Sequence, residues 1–286
     1  MREIIVDKKY DGKKLNSFLI DNFNGLKLNT LYKALRKKDI RINGTKVSDN
    51  VIIHFGDVIK LFIPDAQLLS NDNFCVDIIY EDDNIVVVNK PVEIEVVGES
   101  SLTTELCKYY NSTSILPCHR LDRNTTGLIL FAKNKEALNI LLDKFKNHEI
   151  EKHYKALVYG ILCKKEDTLI AYLFKDAKKS LVYISDVPKK GYEKIITSYK
   201  VIGSNNKNNT SLLDVNLHTG KTHQIRAHLA HIGYPIIGDG KYGNREINKK
   251  FSYKYQQLCS YSLKFCFKTN ADILNYLNNK KIELFK

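Results

Sequence analysis

With 286 residues, 43% hydrophobic and 27% charged, the chain has the composition of a soluble globular protein and the length for one or two domains. Its formal charge of +13 is the departure and points to a polyanionic partner, because cations that neutralise phosphates release counterions. No apolar run nears the ~18 residues of a membrane span, no signal peptide opens the chain, and the six cysteines (Cys75, Cys107, Cys118, Cys163, Cys259, Cys266) form no C-x-x-C pair, which excludes zinc-ribbon and redox-motif readings and favours reduced thiols in a cytoplasmic protein.

In chain order, Met1 to Asp7 reads as a strand, and residues 14–63 as a small α/β module closing a first domain, 1–63. Leu15, Phe18 and Leu19 share one helical face; Leu28, Leu31, Tyr32 and Leu35 share another, with Asn29 or Thr30 near its cap. Ile40 and Ile42 alternate with polar residues ahead of Asn43-Gly44, a strong hairpin signal, and Phe55 to Phe62 adds a turn and strand. Lys33, Arg36, Lys37, Lys38 and Arg41 cluster around the second helix. Most charge runs are solvated faces.

The polar stretch 64–75 is the predicted linker to a second domain, 76–286. Val76 to Tyr80, Ile85 to Asn89, Leu128 to Ala132, Tyr154 to Tyr159, Ser211 to Leu217 and Tyr261 to Phe267 read as strands; Leu138, Leu141, Leu142 and Phe145 have helical spacing. Strands outnumber helices and most neighbours are joined by hairpins. The expected class is α+β: a central, largely antiparallel or mixed sheet flanked by helices, without internal repeats.

The stretch His119-Arg120-Leu121-Asp122-Arg123-Asn124-Thr125-Thr126-Gly127-Leu128 carries the chemistry. It sets one carboxylate between two arginines, on a polar turn before an apolar strand, where a reacting group sits on a rigid base. Lone aspartates in such settings are mostly surface ion pairs; further segments change the weighing. These are Asn89-Lys90-Pro91, with Lys90-Pro91 shaping a strand end; Glu151-Lys152-His153-Tyr154-Lys155-Ala156; and the long run from His218 through Gly220-Lys221-Thr222-His223-Gln224-Ile225-Arg226 to Gly238-Asp239 and Lys241-Tyr242-Gly243. His218, His223, His228 and His231 match no common zinc spacing, so no metal site is predicted. Gly220-Lys221-Thr222 has the tail of a phosphate loop, but Val215 stands where that loop needs glycine.

Together these segments, over roughly residues 78–267, resemble the RluA family of pseudouridine synthases, and the N-terminal module resembles the alpha-L (S-four type) RNA-binding domain. The resemblance implies isomerisation of selected uridines in RNA to pseudouridine: uracil is detached, turned and rejoined to the sugar through carbon 5. It implies no cofactor and no metal. It makes Asp122 the catalytic carboxylate, Tyr154 the active-site tyrosine and Arg226 the basic partner, and it turns Arg120, Arg123 and the Lys33–Arg41 cluster toward RNA. An ionised carboxylate is needed for nucleophilic attack or proton uptake, and a nearby cation favours that form. Arg226 is the expected partner, with Arg120 or Arg123 contributing.

The sequence leaves open attack on the sugar, attack on the base and a glycal route. Glu93, Val97, Lys221 and Cys259 occupy places where the family more often has Gly, His, Arg and His. Large-subunit ribosomal RNA is the favoured substrate and transfer RNA the alternative. A non-catalytic RNA-binding or ribosome-assembly protein of the same fold is the rival reading, and a metal-dependent hydrolase using the histidines a third. A monomer in the cytoplasm, without a membrane partner, is expected.

Overall fold

A computed structural model of the chain describes residues 2–23, 25–26, 28–64, 68 and 76–284. It forms two compact units, Met1–Cys75 and Val76–Lys286. Most of the predicted linker lies outside the described residues.

In the first unit, β1 (Arg2–Ile5), α1 (Leu15–Asn22), α2 (Leu28–Lys37), β2 (Ile40–Ile42), β3 (Thr45–Lys46) and β4 (Val58–Leu61) surround one core. The four strands form an antiparallel sheet in the order β1-β4-β2-β3. Leu15, Phe18 and Leu19 of α1 are fully buried, as their spacing predicts. In α2 the buried stripe is Leu31, Ala34 and Leu35; Leu28 and Tyr32 face solvent, correcting the expected face. Asn29 and Thr30 lie inside the first turn of α2 rather than at its cap. Asn43 (φ 49°) and Gly44 (φ 83°) both take the left-handed backbone that a tight primed hairpin turn requires, and Ile42 pairs Thr45 across it.

The second unit holds an eleven-stranded sheet, in the order β11-β10-β12-β13-β9-β14-β8-β6-β5, with β15 beside β14 and β7 beside β8. Its strands are β5 (Ile78–Glu81), β6 (Ile85–Lys90), β7 (Leu116–Pro117), β8 (Thr126–Ala132), β9 (Ile150–Tyr159), β10 (Glu166–Asp176), β11 (Leu181–Ser185), β12 (Glu193–Asn205), β13 (Thr210–Leu217), β14 (Leu258–Phe265) and β15 (Lys281–Glu283). Helices α3 (Leu102–Tyr109), α4 (Lys135–Lys146), α5 (Gln224–His231) and α6 (Arg245–Phe251) pack around it. The class is the α+β one expected. Boundaries differ at both ends of the predicted set: Val76 and Asp77 precede β5, and Cys266 and Phe267 follow β14.

Among the described residues, every strand pairing is antiparallel except β14 with β8, where Cys259 faces Thr126 and Ser260 faces Gly127. That junction is close. A methyl group on Gly127 would sit 2.1 Å from the Ser260 carbonyl oxygen, so only glycine fits. Ser260 also pairs Tyr154 on its other side. Tyr154, Ser260 and Gly127 therefore lie in one row across three strands, which sets Tyr154 about 10 Å from the strand that Asp122 precedes.

Under this sheet, Lys144 at the end of α4 is buried. Its ammonium donates to Glu149 Oε2 at 2.9 Å and to the Thr269 carbonyl at 2.8 Å. Burial alone would raise the Glu149 pKa; Lys144 and the backbone N–H groups of Lys268 and Thr269 outweigh it and hold the carboxyl at about 2. Removing one partner of a buried pair strands the other charge, so Lys144→Met should lower unfolding stability by about 3–5 kcal/mol in urea titrations. The carboxyl is depressed when folded, so its contribution is complete above pH 4.5 and is lost as pH falls through about 2. Glu149→Gln should flatten the stability–pH curve in that window.

Candidate active site

Asp122 lies on the short loop between β7 and β8, ahead of a turn closed by the Thr125 N–H donating to the Asp122 carbonyl at 3.0 Å. Two buried side chains hold that turn. The Lys90 ammonium at the end of β6 donates to the carbonyls of Pro91, Ile94 and Arg123 at 2.7, 2.9 and 2.9 Å. Gln256 Nε2 donates to Thr125 Oγ1 at 2.9 Å. Burial lowers the Lys90 pKa to about 8, the three carbonyls standing where a counter-ion would be. Lys90 is thus the structural residue that the sequence suggested, and its object is the turn behind Asp122.

Arg226 approaches from α5. The helix start is fixed by Gln224, whose Oε1 accepts from the Lys221 N–H and the Thr219 hydroxyl and whose Nε2 donates to the Ile196 carbonyl and Thr197 Oγ1, all within 2.9–3.1 Å. Two residues later the Arg226 guanidinium donates from Nε and Nη2 to the carboxylate of Asp239 at 2.7 and 2.9 Å, and from Nη1 to Asp122 Oδ2 at 2.8 Å. Asp239 has no exposed side-chain surface and also accepts from the Lys241 and Tyr242 N–H groups. Burial by itself would lower the Arg226 pKa; the Asp239 hydrogen bonds and charge outweigh it and push it up. Burial would likewise raise Asp239, and Arg226 reverses that.

A second chain of contacts reaches Asp122. The Val182 N–H donates to Tyr242 Oη at 2.9 Å, and Tyr242 Oη lies 2.8 Å from His223 Nδ1. The ring's other nitrogen, Nε2, lies 4.0 Å from Asp122 Oδ2. Burial lowers the His223 pKa to about 4, against the pull of Asp122, so the ring is neutral near pH 7. Its backbone is left-handed (φ 53°), which turns the chain from β13 into α5.

Asp122, Tyr154, Arg226 and Arg120 all line one cavity of about 380 Å³, bounded by the Asp122 loop, the end of α4, β9 and the loop from β13 into α5. Tyr154 is 4% exposed and its phenol pKa is raised by burial. The structure therefore gathers the three residues singled out for catalysis. Among the described residues, Arg226 is the arginine that bonds Asp122. Arg123 turns away and donates from Nε to the Glu93 carbonyl at 3.0 Å, and Arg120 is exposed at the cavity wall. Lys33, Arg36, Lys37 and Lys38 are exposed in the N-terminal unit, and the Arg41 guanidinium lies 5.0 Å over the Phe62 ring. The four histidines go to four separate partners: His218 to Ser198, His223 to Tyr242, His228 to Thr197 and His231 to Asp186.

Asp239, His223 and Tyr242 are site residues that the sequence did not single out. The signal for Asp239 is an acid closing the apolar run Ile236-Ile237-Gly238 within the motif that contains Arg226. Of the four departures from the family pattern, two have local explanations. Glu93 keeps the left-handed backbone (φ 67°) that glycine takes without cost, and its carboxylate is tied to Tyr255 and Lys254. Lys221 pairs with Glu193. Nothing in the structure explains Val97 or Cys259.

A sequence model of the RNA pseudouridylate synthase family matches residues 84–231. A relative from Mycoplasma capricolum, described as an uncharacterized RNA pseudouridine synthase, is 33% identical over 99% of this chain and 97% of its own. The ribosomal large subunit pseudouridine synthase C of Rickettsia prowazekii is 32% identical over 85% of this chain and 86% of its own. The structure of human RNA pseudouridylate synthase domain containing 1 shares the fold, with a TM-score of 0.59 at 23% identity over 68% of this chain and 80% of its own. The protein is thus an RNA-modifying isomerase. The chain belongs to the RluA family of RNA pseudouridine synthases.

Asp239 is the test of how the site is built. An Asn there keeps one acceptor and turns an N–H donor toward the guanidinium. Asp239→Asn is expected to lower kcat by about 10²-fold, the cost of a misplaced reacting group, and to lower the melting temperature; single-turnover assays and a thermal melt check both.

Proposed function

We propose that the enzyme converts uridines of large-subunit ribosomal RNA to pseudouridine in the cytoplasm, with Asp122 as the catalytic carboxylate. The observation that carries this reading is the Arg226–Asp122 bond at the wall of a cavity of about 380 Å³, within the size range of ligand pockets. A uridine in a folded stem is out of reach, so it swings out of its stack into this cavity, at a cost of roughly a few kcal/mol. Arg226 holds Asp122 aimed into the cavity. Tyr154 supplies a ring face for the base, and Arg120 at the cavity wall occupies the gap left in the RNA. Attack on the sugar, attack on the base and a glycal route all begin from the same ionised carboxylate. The large-subunit assignment rests on the name of the relative from Rickettsia prowazekii, on the basic charge, and on the N-terminal unit read as an RNA-binding module.

Forming the carbon–carbon bond expels the hydrogen on carbon 5. With ribosomal RNA transcribed from carbon-5-tritiated uridine, wild type is expected to release tritium and Asp122→Ala to release none. Mapping pseudouridine in a deletion strain separates the substrates: missing large-subunit sites support this reading, and a full set there with gaps in transfer RNA overturns it.

The exposed Lys37 and Lys38 meet RNA phosphate in this reading. Replacing both with Ala should weaken binding and flatten the plot of log affinity against log salt by about one unit for each phosphate no longer neutralised. An unchanged slope would remove the module from the interface.

A further inference from the structure

Lys152 stands two residues before Tyr154 on β9, so both side chains leave the same face of the sheet and both line the Asp122 cavity. Its ammonium lies 5.3 Å from the centre of the Phe145 ring on one side. On the other it lies so near Gly220 that a methyl group there would come within 3.2 Å of Nζ. Among the described residues it has no carboxylate partner. Two more deeply buried lysines have partners: Lys144 has its own buried glutamate, and Lys90 has three carbonyls. Among the described residues, Lys152 meets a ring face and a glycine.

Burial without a partner makes the charge costly: the pKa of Lys152 falls to about 8. A cation held this way lacks a counter-ion that something else must bring. The walls do not bring it. They carry Arg120, Lys146 and Lys221, and their acid, Asp122, is bonded to Arg226. The molecule that enters does carry anions, one phosphate per nucleotide. Gly220, without a side chain, adds no bulk beside Nζ.

We propose that Lys152 binds a phosphate flanking the extruded uridine and so fixes how deeply the nucleotide enters. The proposal rests on the Asp122 cavity being the catalytic site. Lys152 is then a substrate-binding residue whose removal is felt in affinity more than in the chemical step. A lysine here acts as a compact point charge on a flexible stem, which suits one phosphate oxygen.

The test uses the full-length enzyme and total RNA, labelled with carbon-5-tritiated uridine, from a strain lacking this protein, so that every natural substrate is present. Lys152→Met is expected to raise the apparent KM about tenfold, an interaction worth ~1.4 kcal/mol. It should also reduce the salt slope of RNA binding by about one. Lys152→Arg should restore both. Unchanged KM and slope in Lys152→Met would overturn the proposal, as would a fall in kcat at saturating RNA with KM intact. Should Lys152→Met fail to fold by circular dichroism, Lys152→Gln replaces it with the same two readouts. Asp122→Ala runs beside these. Tritium release by that variant would mean that the site itself is misassigned and would overturn the proposal with it, whereas abolished release beside a normal Lys152→Met would overturn the proposal alone.

Discussion

One guanidinium between two carboxylates organises this site. Arg226 is nearly buried and bonded through two nitrogens to Asp239, which has no exposed side-chain surface. Such a fork fixes the plane of the guanidinium as well as its position. The third nitrogen is thereby aimed at Asp122, 104 residues earlier in the chain. Everything else near the cavity keeps those three groups in reach of one another: Gln224 anchors the helix of Arg226, Lys90 and Gln256 hold the turn of Asp122, and two backbone N–H groups seat Asp239. A buried ion pair contributes little net stability, because desolvation offsets most of the attraction. Its use here is orientation.

The sheet supplies the second constraint. A single parallel junction among the described strands, β14 against β8, brings the strand after Asp122 into line with the strand of Tyr154. The junction is tight enough to demand Gly127, so a glycine that looks like part of a polar turn in the sequence sets the distance between two site residues.

Much of the site is legible in the sequence because its motifs are contiguous. Asp122, Tyr154 and Arg226 each sit in a run of distinctive residues, and the cavity joins the three. What is not legible is proximity across the chain. Asp239 lies thirteen residues after Arg226, and nothing in sequence separates a buried acid from a surface one. Helix α5 shows no helical periodicity because six of its eight residues are buried, leaving no polar face to alternate with an apolar one. Strand β10 is hidden for the opposite reason. In β10 only Ala171 and Leu173 are buried while Ile170 and Phe174 are exposed, so alternation carries little signal. In α2 the pattern is readable, but small Ala34 takes the buried place expected of Leu28 and Tyr32.

The doubled carboxylate on Arg226 has a consequence for the course of a turnover. At rest the trio of one cation and two anions carries a net charge of −1. In the proposed reaction Asp122 gives up its charge, by forming a bond or by taking a proton, and the remainder is Arg226 with Asp239, a neutral pair still joined through two nitrogens. The carboxylate proposed to react is therefore free to change state without stranding a buried cation. On that reading the interior registers the step as the disappearance of a surplus charge, with the Arg226–Asp239 fork in place for the next substrate.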